Sequence, residues 1–430
     1  DNDETGEVVT SRIDPVTGVI TYSPGGNVAG FAHRYGGTNT AQVIEKFAKL
    51  SQWTKTAADT ANADVSAATD LASIGSSSLR FVSTATASKS AYVDQDQKIN
   101  LNTRGGFWVC WNQRYMQTAA SVGLTAYMSH SAAMAAGVGR VSKTGIQNTV
   151  GFGKQSDWVS NVGWATLDGT PNFANDWLSW RFRIDSNASE PHDWDLDGIV
   201  VGGYKPRIVI SFDDGWDSSY SVGFAEAQKR EIPLTHYLVG SLLNQSNYIT
   251  AAQAAEMKAA GDYIGVHGVG GANTWDVNTA AQIASDRGAL GSLTDGLHGS
   301  WPEGKMGFGT APAANIAAAK SVGLKTVRQI ASAQGVFLPG YTEWGAMPGY
   351  PLNNTVNLAT AQAAVDRVIA SKGALIFYGH KLGGAADSLT WVTSDYQALL
   401  DYIAQKRLEG AVDVVTVAQL YDEIYGRQEV

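Results

Sequence analysis

The chain has 430 residues, a formal net charge of −9 and 44% hydrophobic side chains. That length exceeds one ordinary core, so two domains are expected. The acidic balance, with no run of Lys and Arg, argues against a nucleic-acid partner and suits a neutral or cationic ligand. No apolar run approaches the roughly twenty residues needed to cross a bilayer, so no membrane insertion is expected. The single cysteine, Cys110, leaves no intrachain disulfide framework and no cysteine-based zinc site.

Residues 1–30 are polar, with the turn signals "DPVTG" and "SPGG", and read as a short hairpin or linker. They carry no basic region followed by an apolar core, the mark of a signal peptide. The expectation is of a chain that acts outside the cell, its leader removed or its export differently routed, or of a virion component such as a phage tail protein.

Residues 31–203 contain short strand-like runs, among them "SSLRFVS", "GGFWVCWNQRY", "DWLSWRFRID" and "WDLDGIVVGG", bounded by Gly, Asn, Asp and Ser. They predict an antiparallel β-sandwich of jelly-roll type. "TNTAQVIEKFAKL" predicts a helix, and "TAADTANADVSAATDLAS" reads as helix or loop. Eight of the thirteen tryptophans lie in this half: Trp53, Trp108, Trp111, Trp158, Trp164, Trp177, Trp180 and Trp194. Such rings either fill a sandwich core or stack on sugars, and packing is the commoner fate.

At Tyr204 the grammar changes, and 204–430 reads as a second domain. "KPRIVISF" is a buried strand. "TAAQAAEMKAAGD" follows with Thr250 and Gln253 in capping-box spacing and Gly261 just past its end. "DYIGVH" is the next strand. "TAPAANIAAAKSVGLKTVR", "TAQAAVDRVIASKGALIFYGH" and "TSDYQALLDYIAQKRLEGAVDVVT" each read helix, glycine, strand. This βα alternation predicts a parallel sheet in an α/β fold. Closure into a (β/α) barrel fits better than an open sheet, because no glycine-rich phosphate fingerprint follows the first strand.

In such a barrel the reactive groups belong at the carboxyl ends of the strands. Three strands end in them: "RIVISFDDGWD" in Asp213 and Asp214, "DYIGVH" in His267, "ALIFYGHKL" in His380. Adjacent carboxylates on a tight turn point in different directions, so one can hold a cation while the other takes a proton. Singly, "DDG" is a turn and a histidine is a satisfied core residue. All of them ending apolar strands of one barrel points to a hydrolase, with metal assistance as an open possibility.

These residues carry a resemblance. "SFDDG" is similar to the first motif of the polysaccharide deacetylases, the fourth carbohydrate esterase family. "SWPEGKMG" resembles the third motif and "LIFYGHKL" the fifth, in family order and spacing over about 205–425. The resemblance implies a distorted (β/α) barrel that removes acetyl groups from an acetylated polysaccharide, using a divalent metal, usually zinc. By position, Asp213 is then the general base, Asp214 and His267 metal ligands, and His380 the general acid. Metal-bound water would attack the acetyl carbonyl and His380 would protonate the departing amine or alcohol. Trp301 and Pro302 become substrate-binding candidates, with core packing the alternative for Trp301.

The sequence departs from the family in two places. The third motif lacks its arginine, for which Arg328 is a candidate substitute. The second motif has His267 but Gly271 where a second histidine would stand, four residues on. Asn273 can replace that ligand if the run "GVGGA" reshapes; otherwise two ligands are completed by water or substrate, or the domain is a degenerate scaffold kept for sugar binding or structure. Asp217 and His298 read as surface or supporting groups.

Overall fold

The computed structural model describes residues 205–268, 275, 278–302, 312–330, 335–385 and 387–424 of the second half. In the first half it describes residues 11–13, 20–22, 42–45, 54–57, 63–68, 78–83, 89–99, 105–113, 123–131, 134, 136, 139–146, 153–160, 164–172, 175, 177–186 and 192–203. The chain divides into two compact units, Asp1–Tyr204 and Lys205–Val430.

In the first unit Ser11–Ile13 and Ile20–Tyr22 form an antiparallel hairpin. Two larger antiparallel sheets follow. One orders Ala165–Asp168, Arg140–Ile146, Gly123–Ser129, Trp177–Ser186, Lys89–Ile99 and Thr54–Ala57. The other orders Gly153–Ser160, Gly106–Gln113, His192–Val201, Ser78–Ser83 and Ala63–Ala68, with Gln42–Glu45 added to His192–Val201. Alternate residues of both sheets meet in one apolar cluster: Phe107, Val109 and Trp111 from one, Met128, Trp180 and Phe182 from the other. Period-two patterning produces this. A register shift between Leu196 and Gly198 lets Leu196 and Ile199 both enter the cluster despite their odd spacing.

Two expectations fail here. Gln42–Glu45, within the run expected to be helical, is a strand whose Val43 lies opposite Val200. Ala63–Ala68, within the run read as helix or loop, is a strand as well, and the strand Thr54–Ala57 takes in the first two residues of that run. Pairing to a neighbouring strand decides these short segments against their local helix propensity. Trp108, Trp111, Trp158, Trp177 and Trp180 are buried, and Trp164 packs half-buried at the core's edge. These tryptophans serve packing.

The second unit is mixed α/β. Its nine-stranded sheet orders Thr326–Arg328, His298–Ser300, Tyr263–Val266, Thr235–Leu238, Arg207–Asp214, Ala374–Gly379 and Val336–Phe337. Tyr350–Pro351 pairs with Ala374–Gly379, and Asp413–Val414 with Arg207–Asp214. All pairings are parallel except that of Val336–Phe337. Ile208 to Asp213 is buried without a break, as a strand covered on both faces requires. The sheet curls. Met347 bridges to Arg328 at one edge, while Tyr350 and Pro351 lie against Phe377 and Tyr378 on the far side.

Helices return the chain between strands, and their ends follow the sequence signals. Thr250 and Gln253 form the expected capping box on Ala251–Ala259. Asn357 caps Leu358–Ser371, whose last turn closes on Lys372 with φ of 55°. No described helix is long and apolar enough to cross a membrane.

Gly265 shows how tightly the strands beneath the site pack. A β-carbon there would stand 2.6 Å from Tyr237 Cδ1 and 2.7 Å from the carbonyl oxygen of His298. The carbonyl belongs to the backbone and cannot step aside. Gly265→Ala is expected to destabilise the second unit by about 1–3 kcal/mol, read as a lowered urea midpoint.

Candidate active site

The parallel register brings the strand ends together. Asp213 and Asp214 stand opposite Tyr237 and Leu238, Phe212 opposite Gly379, Val266 opposite Gly299, and Ser300 opposite Arg328. His267 and His380 each follow immediately after a strand, so all these groups emerge at one end of the sheet.

The turn after the first strand separates the two carboxylates. Asp214 has φ of 69°, in the left-handed region, and Gly215 N–H donates to Asp213 O at 2.9 Å across it. This is the rarer, strained form of γ-turn. Gly215 follows with φ of 87° and little room for a side chain beside Leu238. The result is a division of environment: Asp213 is 2% exposed, while the Asp214 side chain is one-quarter exposed.

Three cationic or ionisable groups, Arg328, His267 and His380, surround these carboxylates. Arg328 Nη2 donates to Asp213 Oδ2 and, at 2.6 Å, to Ser300 Oγ. The guanidinium is buried, and it lies over the Tyr378 ring at 4.2 Å from the centroid. His267 Nε2 is 3.5 Å from Asp214 Oδ1 and 3.9 Å from Asp213 Oδ2. His380 Nε2 is 4.0 Å from Asp213 Oδ2.

Burial works to raise the Asp213 carboxyl, but the charge of Arg328, then of His267 and His380, and the Arg328 hydrogen bond bring it below its ordinary value. Burial lowers His380, as do His267 and Arg328, and the pull of Asp213 and Asp214 only partly offsets this. Asp213 is thus held ionised, and His380 is the stronger acid for its burial.

The orientation of His267 is fixed from behind. Its Nδ1 lies 3.0 Å from Ser300 O and 2.9 Å from Ser300 Oγ. A carbonyl oxygen only accepts, so Nδ1 carries the proton and Nε2 is left facing the carboxylates. An imidazole nitrogen and a carboxylate oxygen at 3.5 Å, backed by hydrogen bonds to each, form two ligands suited to a divalent cation. Asp213 Oδ1, buried with no hydrogen-bond partner, adds an acceptor beside them. Among the described residues no group of three His, Cys, Asp or Glu side chains completes a metal set. Gly271 and Asn273, the positions that bear on a third ligand, lie outside the described residues.

The other sequence candidates fall elsewhere. Trp301 is 1% exposed, spends its indole N–H on Gly345 O at 2.7 Å, and packs edge-on to Trp275; Pro302 beside it is buried. Asp217 is exposed on the turn. His298 begins its strand, away from the strand ends, and is buried against Thr326 Oγ1 at 2.8 Å rather than on the surface.

Sequence reasoning assigned nothing to Trp216, whose Nε1 donates to Asp214 Oδ2 at 3.0 Å, or to Asp286. Asp286 is fully buried and accepts from the Trp275 indole. Burial pushes its carboxyl up to about 6 against that hydrogen bond, the charge of His267 and the Gly268 N–H. Trp216 stands two residues past Asp214, a spacing that could have drawn notice; Asp286 sits mid-helix with no local signal.

A buried carboxylate, a separately held second carboxylate, an imidazole with a free nitrogen and a second histidine beside the first carboxylate are groups suited to hydrolytic acid–base chemistry, gathered at one end of a curled parallel sheet. Residues 202–327 match the polysaccharide deacetylase family, a family of hydrolases acting on acetyl groups. No curated protein matches the chain. Similar solved structures include the esterase domain of a multidomain xylanase from the hindgut metagenome of Trinervitermes trinervoides, at 16% identity over 51% of this chain and 91% of that one, with a TM-score of 0.34. A family 4 acetyl xylan esterase from Clostridium thermocellum, in complex with a cobalt ion, is similar at 17% identity over 50% and 90%, with a TM-score of 0.33. A family 4 carbohydrate esterase from Streptomyces lividans, in complex with acetate, is similar at 14% over 50% and 94%, with a TM-score of 0.32.

Arg328→Met leaves Asp213 as a buried, uncompensated charge. It is expected to cost about 3–5 kcal/mol at neutral pH. In the wild type the lowered Asp213 gives stability that is present above its unfolded value and lost as pH falls through the folded one. In the variant, burial is less opposed and the order reverses, so urea titrations of the two proteins should converge as pH falls.

His298 gives a pH dependence of its own. Burial, with Lys325 adding and Asp295 opposing, lowers it from 6.5 to about 4. The folded state refuses a proton that the unfolded state accepts, so its contribution is complete above 6.5 and is lost as pH falls from there toward 4. His298→Gln should remove about 3 kcal/mol of that acid-side loss in urea titrations.

Proposed function

We propose that the chain is a divalent-metal-dependent deacetylase of an acetylated polysaccharide, cleaving N- or O-acetyl groups, on a distorted (β/α) barrel. The carrying observation is the convergence of Asp213, Asp214, His267 and His380 within 3.5–4.0 Å contacts at one strand-end cluster. In this reading Asp214 and His267 hold the cation, zinc being the first choice for an imidazole and carboxylate pair. A divalent cation there, when bound, supplies Lewis acidity toward an acetyl carbonyl and acidifies water.

The remaining chemistry belongs to the side chains. Asp213 is the general base. Arg328 keeps it ionised and fixes Oδ2, leaving Oδ1, which has no hydrogen-bond partner, to take the proton from water. His380 Nε2 faces Asp213 Oδ2, as His267 Nε2 does, and at 4.0 Å a reacting atom can lie within hydrogen-bond reach of both His380 and Asp213. As general acid it protonates the departing amine or alcohol, a task for which its burial suits it. The first unit, read as a jelly-roll sandwich, is assigned to polysaccharide engagement through surfaces other than its buried tryptophans.

The test is acetate release from a broad panel of acetylated oligosaccharides, after chelation and after adding back zinc or cobalt. Restored release and a roughly 10²–10⁴-fold loss in Asp213→Asn are expected. Release that no metal stimulates, or a fully active Asp213→Asn, would sink the reading.

A further inference from the structure

Asp214 has two oxygens, and they have different neighbours. Oδ1 faces His267 Nε2 at 3.5 Å; Oδ2 accepts the Trp216 indole N–H at 3.0 Å. The indole is itself held. Tyr248 stacks on it with centroids 4.3 Å apart and planes at 27°, and Lys381 Nζ stands 3.6 Å from its centroid. The backbone is pinned on both sides of the ring: Ile249 N–H donates to Gly215 O and Asp217 N–H to Asn247 O, both at 2.9 Å. Leu382 N–H donates to Ser218 Oγ at 3.0 Å, tying the same turn to the segment that carries His380.

We propose that Trp216 is a positioning residue for the cation site, occupying Oδ2 so that Asp214 presents a single oxygen beside His267. This rests on the deacetylase reading, which makes Asp214 and His267 the cation's holders. A carboxylate on a short turn would otherwise rotate, offering a cation both oxygens or neither. The clamped N–H removes that freedom. The ammonium over the indole face draws electron density from the ring and makes the N–H a better donor. Lys381 adjoins His380 in sequence, so one contact orients the cation's carboxylate and joins it to the general acid's segment.

Supporting hydrogen bonds to a ligating carboxylate affect metal affinity as well as rate. Trp216→Phe keeps an aromatic ring between Tyr248 and Lys381, smaller than indole, and removes the N–H. In the full chain, titration with Co²⁺ alone should show affinity reduced about 10–100-fold, with circular dichroism and melting temperature as in the wild type. In an Asp214→Asn background the same substitution should cause no further loss. Independently of metal, the indole proton resonance of Trp216 in ¹⁵N-tryptophan-labelled protein should move upfield on Asp214→Asn.

Trp216→Phe binding cobalt as tightly as the wild type, or an indole resonance indifferent to Asp214→Asn, overturns the positioning role and leaves the deacetylase reading standing. A wild-type protein that binds neither cobalt nor zinc overturns both.

Discussion

The buried pair of Asp213 and Arg328 is the constraint from which the rest of the second unit's site follows. In hydrogen-bonding order their strands are four places apart, a span of about 19 Å in a flat sheet. Their hydrogen bond is possible because the sheet curls, with the Met347–Pro351 segment spanning from one edge to the strand that ends at Gly379. Such a pair adds little net stability, since removing two charges from water costs about what their attraction returns. Its value is geometric. Once Arg328 holds Oδ2 of Asp213 and Oγ of Ser300, Ser300 can fix His267 from behind, and Asp213 and His267 become parts of a single network.

Asp214 answers a different problem. Two carboxylates in sequence would normally share one environment, and either their repulsion or their common burial would neutralise one. The γ-turn sends them apart, one inward to the guanidinium and the other, one-quarter exposed, against Trp216. Charge separation between neighbours is thus achieved by one unfavourable backbone torsion, and Gly215 supplies the next one without a side chain to resist it.

What was legible in the sequence follows the range of the interactions involved. The strand-end positions of Asp213, Asp214, His267 and His380 came from local apolar runs, and the capping box of Thr250 and Gln253 from spacing alone. The role of Arg328 depends on how far the sheet curls, which no local pattern states; it was reachable only as a charge missing from the third motif. Trp301 stood in that motif as a substrate candidate, yet its indole N–H is spent on Gly345, a partner 44 residues on. The strand at Gln42–Glu45 carries helix-forming residues, and only pairing with Val200 and its neighbours overrides them. Tryptophan-rich strands in the first unit likewise suggest sugar stacking until their burial is known.

These features bear on whether the scaffold has decayed. A site relieved of catalysis has no reason to keep a buried carboxylate that requires a buried guanidinium, nor an aspartate held in a left-handed turn; the pair adds little net stability and the turn costs on the order of 1–3 kcal/mol, so either would drift toward apolar packing or an ordinary turn. Both persist here, and both serve the same few atoms. The glycine at 271 removes one ligand type without relaxing either constraint. A chain that keeps the buried Asp213–Arg328 pair, His380 and the strained turn between its two aspartates keeps what the proposed deacetylation would ask of them, so Gly271 bears on how a cation would be held and not on whether those groups are maintained.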